Sequence, residues 1–146
     1  RLPGIRRYCV MVQREVAERM AAAPGGKTYG VLSVWVQLYT EVVKVRTLSR
    51  SIFFPQPNVD SSLVVLGRLP AEQWPMTDPA CLRAVIQAAF GQRRKMLANS
   101  LAAGLRIPRE EALGLVRMLD LPVDVRAERL TPRQFAQIAE HLASEA

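Results

Sequence analysis

The spacing of apolar residues divides the chain into a first part that contains strands and a second part that is helical throughout. Residues 8–12 form a short continuous apolar run, which is typical of a strand buried on both faces. The segments 40–48 and 61–69 are strand-like. Since the connection between them is about a dozen residues long and has no helical pattern, we expect an antiparallel hairpin at one end of a larger sheet.

Helical spacing appears between the first two predicted strands. Apolar residues recur at the period of a helix over 13–20, and a Pro-Gly-Gly sequence at 24–26 ends that segment. Residues 29–39 predict a largely buried helix, although their β-branched residues leave a strand open as the alternative.

After a predicted linker at 70–76, the chain has only helical periodicity and is rich in Ala and Leu. Four helices are predicted: one capped by Thr77 and running to Phe90, one through Leu97, one that starts at Pro108, and one that starts with a capping box formed by Thr131 and Gln134.

The predicted fold class is α/β followed by all-α. The first domain covers 1–69 and a helical domain covers 77–146. A buried strand at 8–12 has no visible parallel partner in the sequence, so we expect further chain to precede Arg1.

Charge changes this picture because it is unevenly distributed. The 146 residues carry a net charge of +7, and residues 1–69 hold ten Lys and Arg against four Asp and Glu. The stretch 79–109 holds six basic residues and no acidic one. This asymmetry favours a face that binds phosphates over a merely solvated surface.

Other classes of chemistry find little support in the sequence. Cys9 and Cys81 lie far apart without a CxxC spacing, and His141 is the single histidine, so neither a metal site nor a disulfide is expected. Gly25-Gly26 has no third glycine at the spacing of a nucleotide-binding loop. No apolar run approaches the roughly 20 residues that span a bilayer, so we expect a cytoplasmic protein without a membrane partner.

The connection at 53–61 has an unusual composition. Its sequence is Phe-Phe-Pro-Gln-Pro-Asn-Val-Asp-Ser, and Pro55 and Pro57 stiffen it by fixing φ at two positions. Two interpretations of Phe53 stay open on spacing alone: packing at a strand end, or presentation of a ring to a flat ligand such as a nucleobase.

Two further segments are candidates for binding. Arg93, Arg94 and Lys95 are three adjacent cations that either contact RNA phosphates or stabilise the end of the preceding helix. Arg14 follows the first predicted strand, where parallel α/β sheets place functional residues, but an ordinary helix start is the favoured alternative.

Five ordered blocks closely resemble the KsgA/RsmA family of ribosomal RNA adenine N6,N6-dimethyltransferases, with the Erm methyltransferases as more distant relatives. The blocks are Val12-Gln13-Arg14-Glu15-Val16-Ala17, Tyr29-Gly30-Val31-Leu32-Ser33-Val34, the segment 53–61, Phe90-Gly91-Gln92-Arg93-Arg94-Lys95 and Arg126-Ala127-Glu128.

The resemblance implies a fold and an activity. The fold is the C-terminal part of a Rossmann-like methyltransferase sheet, ending in an antiparallel hairpin, plus a small helical domain that binds RNA. The activity is dimethylation of two adjacent adenines in small-subunit (16S) ribosomal RNA with S-adenosylmethionine as donor. The family's donor-binding and catalytic motifs are missing, so we expect a substrate-recognition half that is inactive alone.

The resemblance also implies roles for individual residues. Phe53 would stack on the target adenine, and Pro55 and Pro57 would hold the Phe53 ring in place. Phe54 would instead pack against the protein. Asp60 and Ser61 would anchor the loop, and the cations at 93–95, with Arg14, would contact RNA.

The implied partner is small-subunit ribosomal RNA or the 30S particle, bound by a monomer in the cytoplasm. Two alternative functions stay open: a non-catalytic RNA-binding module for ribosome assembly, and an Erm-like enzyme acting on large-subunit RNA, which the basic block at 92–95 disfavours.

Overall fold

Three strands form one antiparallel sheet. The computed structural model describes residues 4–145, so the ends of the predicted segments 1–69 and 77–146 lie outside the described residues. The strands are β1 (Arg7–Gln13), β2 (Thr40–Leu48) and β3 (Ser61–Arg68), in the order β1-β3-β2. The antiparallel pairing of β2 with β3 confirms the predicted hairpin.

β1 differs from the prediction in its exposure and its partner. It pairs antiparallel with β3, and Met11 is 55% exposed. The opposite face of the sheet is covered, because Ala17 and Met20 pack on Val64 and Leu66. Within the described residues, the prediction that β1 is buried on both faces is therefore wrong. A continuous apolar run reports the chemistry of both faces of a strand, but it cannot report which neighbouring elements cover them.

Two helices connect β1 to β2. Helix α1 (Arg14–Ala21) follows β1 directly, and α2 (Val31–Tyr39) runs directly into β2, which decides the open choice at 29–39 in favour of a helix. The side-chain amide of Gln37 donates to the carbonyls of Met20, at 3.0 Å, and Ala22, at 2.8 Å. These bonds satisfy two carbonyls at the end of α1 and hold α2 against it.

Four helices complete the described part of the chain, as predicted: α3 (Pro79–Phe90), α4 (Leu97–Leu105), α5 (Arg109–Met118) and α6 (Pro132–Glu145). The capping box before α6 is confirmed, because the backbone amide of Thr131 donates to Gln134 Oε1 (2.9 Å) and that of Gln134 donates to Thr131 Oγ1 (3.3 Å).

The predicted cap of α3 is wrong by one residue. Asp78, which directly precedes Pro79, accepts a 3.3 Å hydrogen bond from the amide of Cys81 and caps the helix. Thr77 instead donates its hydroxyl to the carbonyl of Ala139 (3.3 Å), which links the start of α3 to α6. Proline at the first helical position makes the residue before it the cap, and here that residue is the aspartate.

One large core joins α2 to the later helices. Its members include Tyr29, Val34, Leu38, Leu82, Ile86, Leu97, Val116 and Phe135. The predicted linker at 70–76 contains a short 3₁₀ helix, Ala71–Gln73. The division of the chain into two domains at this linker stays a prediction. Within residues 4–145 no helix is long and apolar enough to cross a membrane.

Tyr29 is the largest fully buried side chain of this core. Its phenol donates a 2.8 Å hydrogen bond to the carbonyl of Leu130, which lies 101 residues further along the chain. Burial raises the pKa of the Tyr29 phenol well above its ordinary value, since ionisation would place a charge in an apolar interior. The neutral phenol therefore serves as a permanent donor between the α2 entry and the segment before α6.

The crossing of α3 and α4 depends on Gly104. A Cβ at this position would lie 2.6 Å from the Cα of Ala88, a contact that side-chain rotation cannot relieve. We expect Gly104→Ala to lower the free energy of unfolding by about 1–3 kcal/mol, because overpacking outweighs the gain in helix propensity. Urea denaturation of the two proteins measures this difference.

Gly114 in α5 provides the matched control, because nothing lies within 4 Å of its added Cβ. Gly114→Ala should stabilise the protein by roughly 0.5–1 kcal/mol. Equal effects of the two substitutions would contradict the close packing of α3 on α4.

Candidate functional site

A cleft of about 410 Å³ opens where β1 passes into α1, beside the connection between β2 and β3. It is lined by Gln13, Arg14, Glu15, Arg50, Asn58, Val59 and Asp60. The strand enters the helix without an intervening loop, so the side chains at the start of α1 stand directly at the edge of the sheet. The structure thus brings together two of the predicted site residues, Arg14 and Asp60.

Asp60 closes the mouth of the loop. Its Oδ1 accepts a 3.0 Å hydrogen bond from the amide of Arg50, ten residues earlier. Its carbonyl accepts a 3.0 Å bond from the amide of Arg14, at the first turn of α1. The Asp60 carboxylate also lies 3.7 Å from the Arg14 guanidinium. One residue therefore joins both ends of the loop to the helix.

Arg14 divides its charge between two carboxylates. Its guanidinium lies 3.4 Å from Glu18, one turn along α1, as well as near Asp60. All three side chains are at least partly solvated, so each ion pair contributes little stability. Arg14 is therefore accessible and already partly neutralised by the protein itself.

Arg50 is a functional candidate that the sequence interpretation missed. Its guanidinium donates to the carbonyl of Asn58 at 3.1 Å and braces the far side of the loop. It begins the 3₁₀ helix Arg50–Ile52, which is capped by Ser49. The available signal was a cation placed a few residues before the two prolines.

The two phenylalanines of the loop face in different directions. Phe53 is half-buried, whereas Phe54 is fully exposed, so the expectation that Phe54 packs is wrong. Phe53 has extended backbone torsions, and successive side chains of an extended chain point to opposite sides. Pro55 is exposed and Pro57 is half-buried.

Ser61 begins β3 and is aligned with Gln13 on one side and Leu48 on the other. The loop therefore ends inside the sheet ladder. The next residue, Ser62, is buried, and its hydroxyl finds no hydrogen-bond partner within residues 4–145. These described residues also contain no cluster of His, Cys, Asp or Glu side chains suited to a metal ion.

The three adjacent cations lie in the turn between α3 and α4, outside the lining of this cleft. Helix α3 ends at Phe90 with Gly91 as its C-cap, and α4 begins at Leu97, so the cations open neither helix. One guanidinium nitrogen of Arg93 donates to the carbonyls of Lys27 (3.1 Å) and Tyr29 (3.0 Å). Arg94 and Lys95 are exposed.

Comparison with solved structures shows the fold. A dimethyladenosine transferase from Plasmodium falciparum superposes with a TM-score of 0.78 at 22% identity, covering 99% of this chain and 60% of that one. The 23S rRNA methyltransferase ErmE gives 0.56 at 20% identity, covering 96% and 56%. The described sheet and helices thus share the fold of the corresponding parts of these two proteins.

Sequence comparison shows the family. A family model described as ribosomal RNA adenine dimethylase matches residues 1–144. Ribosomal RNA small subunit methyltransferase A of Streptomyces coelicolor is 46% identical over 141 residues, covering 95% of this chain and 48% of that protein. Its Bacillus mycoides counterpart is 42% identical, covering 94% and 48%.

The chain belongs to the ribosomal RNA adenine dimethylase family, which confirms the resemblance drawn from the five sequence blocks. It spans about half the length of the curated relatives that it matches.

We expect Asp60→Ala to loosen the loop, because the Arg50 amide loses its acceptor and Arg14 loses one partner. Hydrogen exchange at the Arg50 amide should accelerate about fivefold, the equivalent of a net hydrogen bond worth about 1 kcal/mol. Mass spectrometry of exchange in a peptide that contains residue 50 measures this rate. Glu18→Ala is the matched control, because it removes the other Arg14 ion pair and leaves the amide bond intact. Equal acceleration in both variants would contradict the closing role of Asp60.

Proposed function

We propose that this chain is the substrate-recognition half of an S-adenosylmethionine-dependent enzyme that dimethylates N6 of two adjacent adenines in small-subunit ribosomal RNA, during ribosome biogenesis. The observation that carries the proposal is the 46% identity, over 95% of the chain, to a relative named for methylation of small-subunit RNA. The substrate is the 30S particle or its RNA, and the protein acts as a monomer in the cytoplasm, where ribosomal subunits are assembled.

The chemistry explains what a recognition half must supply. The lone pair of adenine N6 is delocalised into the ring, so methyl transfer requires the base to be flipped out, stacked and oriented. In this proposal Phe53 stacks on the adenine. Pro55 and Pro57 limit the motion of its loop, while Asp60 and Ser61 hold the loop to the sheet. The contacts of Asp60 with Arg50 and Arg14 support the anchoring role.

In this proposal the methyl donor is bound mainly by residues outside this chain. β1 enters α1 at Gln13 without the glycine-rich turn that cradles a nucleotide. No step that involves the donor is therefore assigned to this chain. Its own contribution is to bind RNA and position the base.

The basic residues divide between two tasks in this proposal. Arg94 and Lys95 are exposed and contact RNA phosphates, together with Arg14 at the loop cleft. Arg93 belongs to the same basic block, and its bonds to two carbonyls support a positioning role, in which it fixes the turn that carries the other two cations.

A chimera tests the proposed activity. The half of the Streptomyces coelicolor relative that corresponds to this chain is replaced by residues 1–146. With labelled S-adenosylmethionine and undermethylated 30S particles, we expect N6,N6-dimethyladenosine in the small-subunit RNA, detected by mass spectrometry of nucleosides. The 146-residue chain alone should transfer no methyl group. Methylation of large-subunit RNA instead, or turnover by the chain alone, would refute the proposal.

Phe53→Ala in this chimera tests the stacking platform. Because base stacking on an aromatic ring is worth about 1–3 kcal/mol, we expect roughly a 5- to 150-fold loss of turnover with an unchanged unfolding temperature. Phe54→Ala is the matched control and should leave turnover within about twofold, since its fully exposed ring is assigned no contact. If the Phe53→Ala variant unfolds, Phe53 is a core-packing residue. If only Phe54→Ala loses turnover, the base stacks on Phe54 and the assignment to Phe53 is wrong.

A further inference from the structure

A second and larger groove, of about 800 Å³, lies between the start of α2 and the turn that joins α3 to α4. Glu15 lines both this groove and the loop cleft, so the two cavities meet beside the first turn of α1. The exposed cations Arg94 and Lys95 directly follow Arg93, which lines the groove. The groove therefore lies between the two places where the proposed function puts RNA contacts.

The floor of the groove is aromatic and rigid. Trp35 and Phe90 are half-buried and line it. Trp35 lies parallel to the Tyr39 ring, with centroids 6.4 Å apart, and Phe90 stacks on Phe135 at 5.5 Å. Rings held in this way expose a fixed apolar surface that needs no ordering when a flat ligand binds.

The rim of the groove is cationic. Arg19, Lys27 and Arg93 line it, against the single carboxylate of Glu15. Glu15 is paired with Arg19, which leaves Lys27 and Arg93 as uncompensated charges among the lining residues. The Arg93 guanidinium bonds to the carbonyls of Lys27 and Tyr29, so it also fixes one wall of the groove to the other.

An apolar aromatic floor beneath a cationic rim matches one chemical class of ligand, a flat base joined to a phosphate. We infer that this groove binds an unpaired nucleotide of the substrate RNA, with its base on Trp35 and Phe90 and its phosphate at Lys27. The inference rests on the proposed function and extends it, because this nucleotide is bound in addition to the adenine at Phe53. Continuity with the loop cleft favours RNA over an acidic aromatic peptide.

The test uses the 146-residue chain and two fluorescein-labelled RNAs, a hairpin with an unpaired loop and a blunt duplex of equal length. Fluorescence anisotropy compares Leu32→Glu with Met118→Glu. Leu32 lines the groove and is 38% exposed, whereas Met118 on α5 is 43% exposed and lies outside the lining of either cavity. Both substitutions add the same charge to a similarly exposed position, and thermal unfolding verifies that both variants fold.

We expect Leu32→Glu to weaken binding of the hairpin about tenfold relative to Met118→Glu, and to leave binding of the duplex unchanged. Arg94→Glu should weaken the binding of both RNAs, because a phosphate contact does not distinguish paired from unpaired strands. A hairpin carrying 4-thiouridine in its loop should cross-link to the peptide that contains Trp35 or Phe90.

Three results would overturn the inference. If Leu32→Glu and Met118→Glu bind the hairpin with equal affinity while Arg94→Glu binds it more weakly, the groove is not an RNA site. The proposed function is then unaffected. If an acidic aromatic peptide binds in the groove and the hairpin does not, the groove is a site for a protein partner. If the unmodified chain binds neither RNA, both the proposed function and the nucleotide site in the groove are contradicted.

Discussion

The buried phenol of Tyr29 holds together parts of the chain that the sequence separates widely. It donates to the carbonyl of Leu130, and its ring lies 6.3 Å from that of Phe90 at the end of α3. Two neighbouring contacts act on the same short segment: Gly25 donates its amide to the carbonyl of Glu128 (2.6 Å), and Arg93 donates to the carbonyls on either side of residue 28. Residues 22–30, which have no regular secondary structure, are thereby fixed by the turn between α3 and α4 and by the segment before α6.

The larger groove depends on this fixed segment, which supplies part of its lining. The segment lies between α1, which borders the loop cleft, and α2, which supplies the wall and the tryptophan of the larger groove. The basic block at 93–95 contributes Arg93 to this fixation, and all three of its side chains are exposed. Adjacent residues of similar charge thus differ in their contacts, because the geometry of the turn brings only Arg93 to the carbonyls of Lys27 and Tyr29.

The sequence predicted most elements because their signals are local. Hydrophobic periodicity identified β2, β3 and the helices, and the Thr131 capping box needed only its own side chains. The exposure of Met11 was not predictable, since an apolar run carries no information about what covers it. The direction of Phe54 depends on backbone torsions, and the bonds of Tyr29 and Arg93 join residues more than sixty positions apart. For the site, the blocks included Arg14 and Asp60, but the contacts of Asp60 with Arg14 and with Arg50 are tertiary.

The carboxylate of Asp60 has a consequence for the changes that the loop of this chain can tolerate. Because it bonds to the Arg50 amide, the loop between them is a closed ring at its base, and the strands beyond that bond keep their alignment whatever the tip contains. Loop length costs little free energy once the ends are held, about 0.6 kcal/mol for each doubling. Changes in the length or composition of the tip from Phe53 to Pro57 should therefore leave the sheet undisturbed.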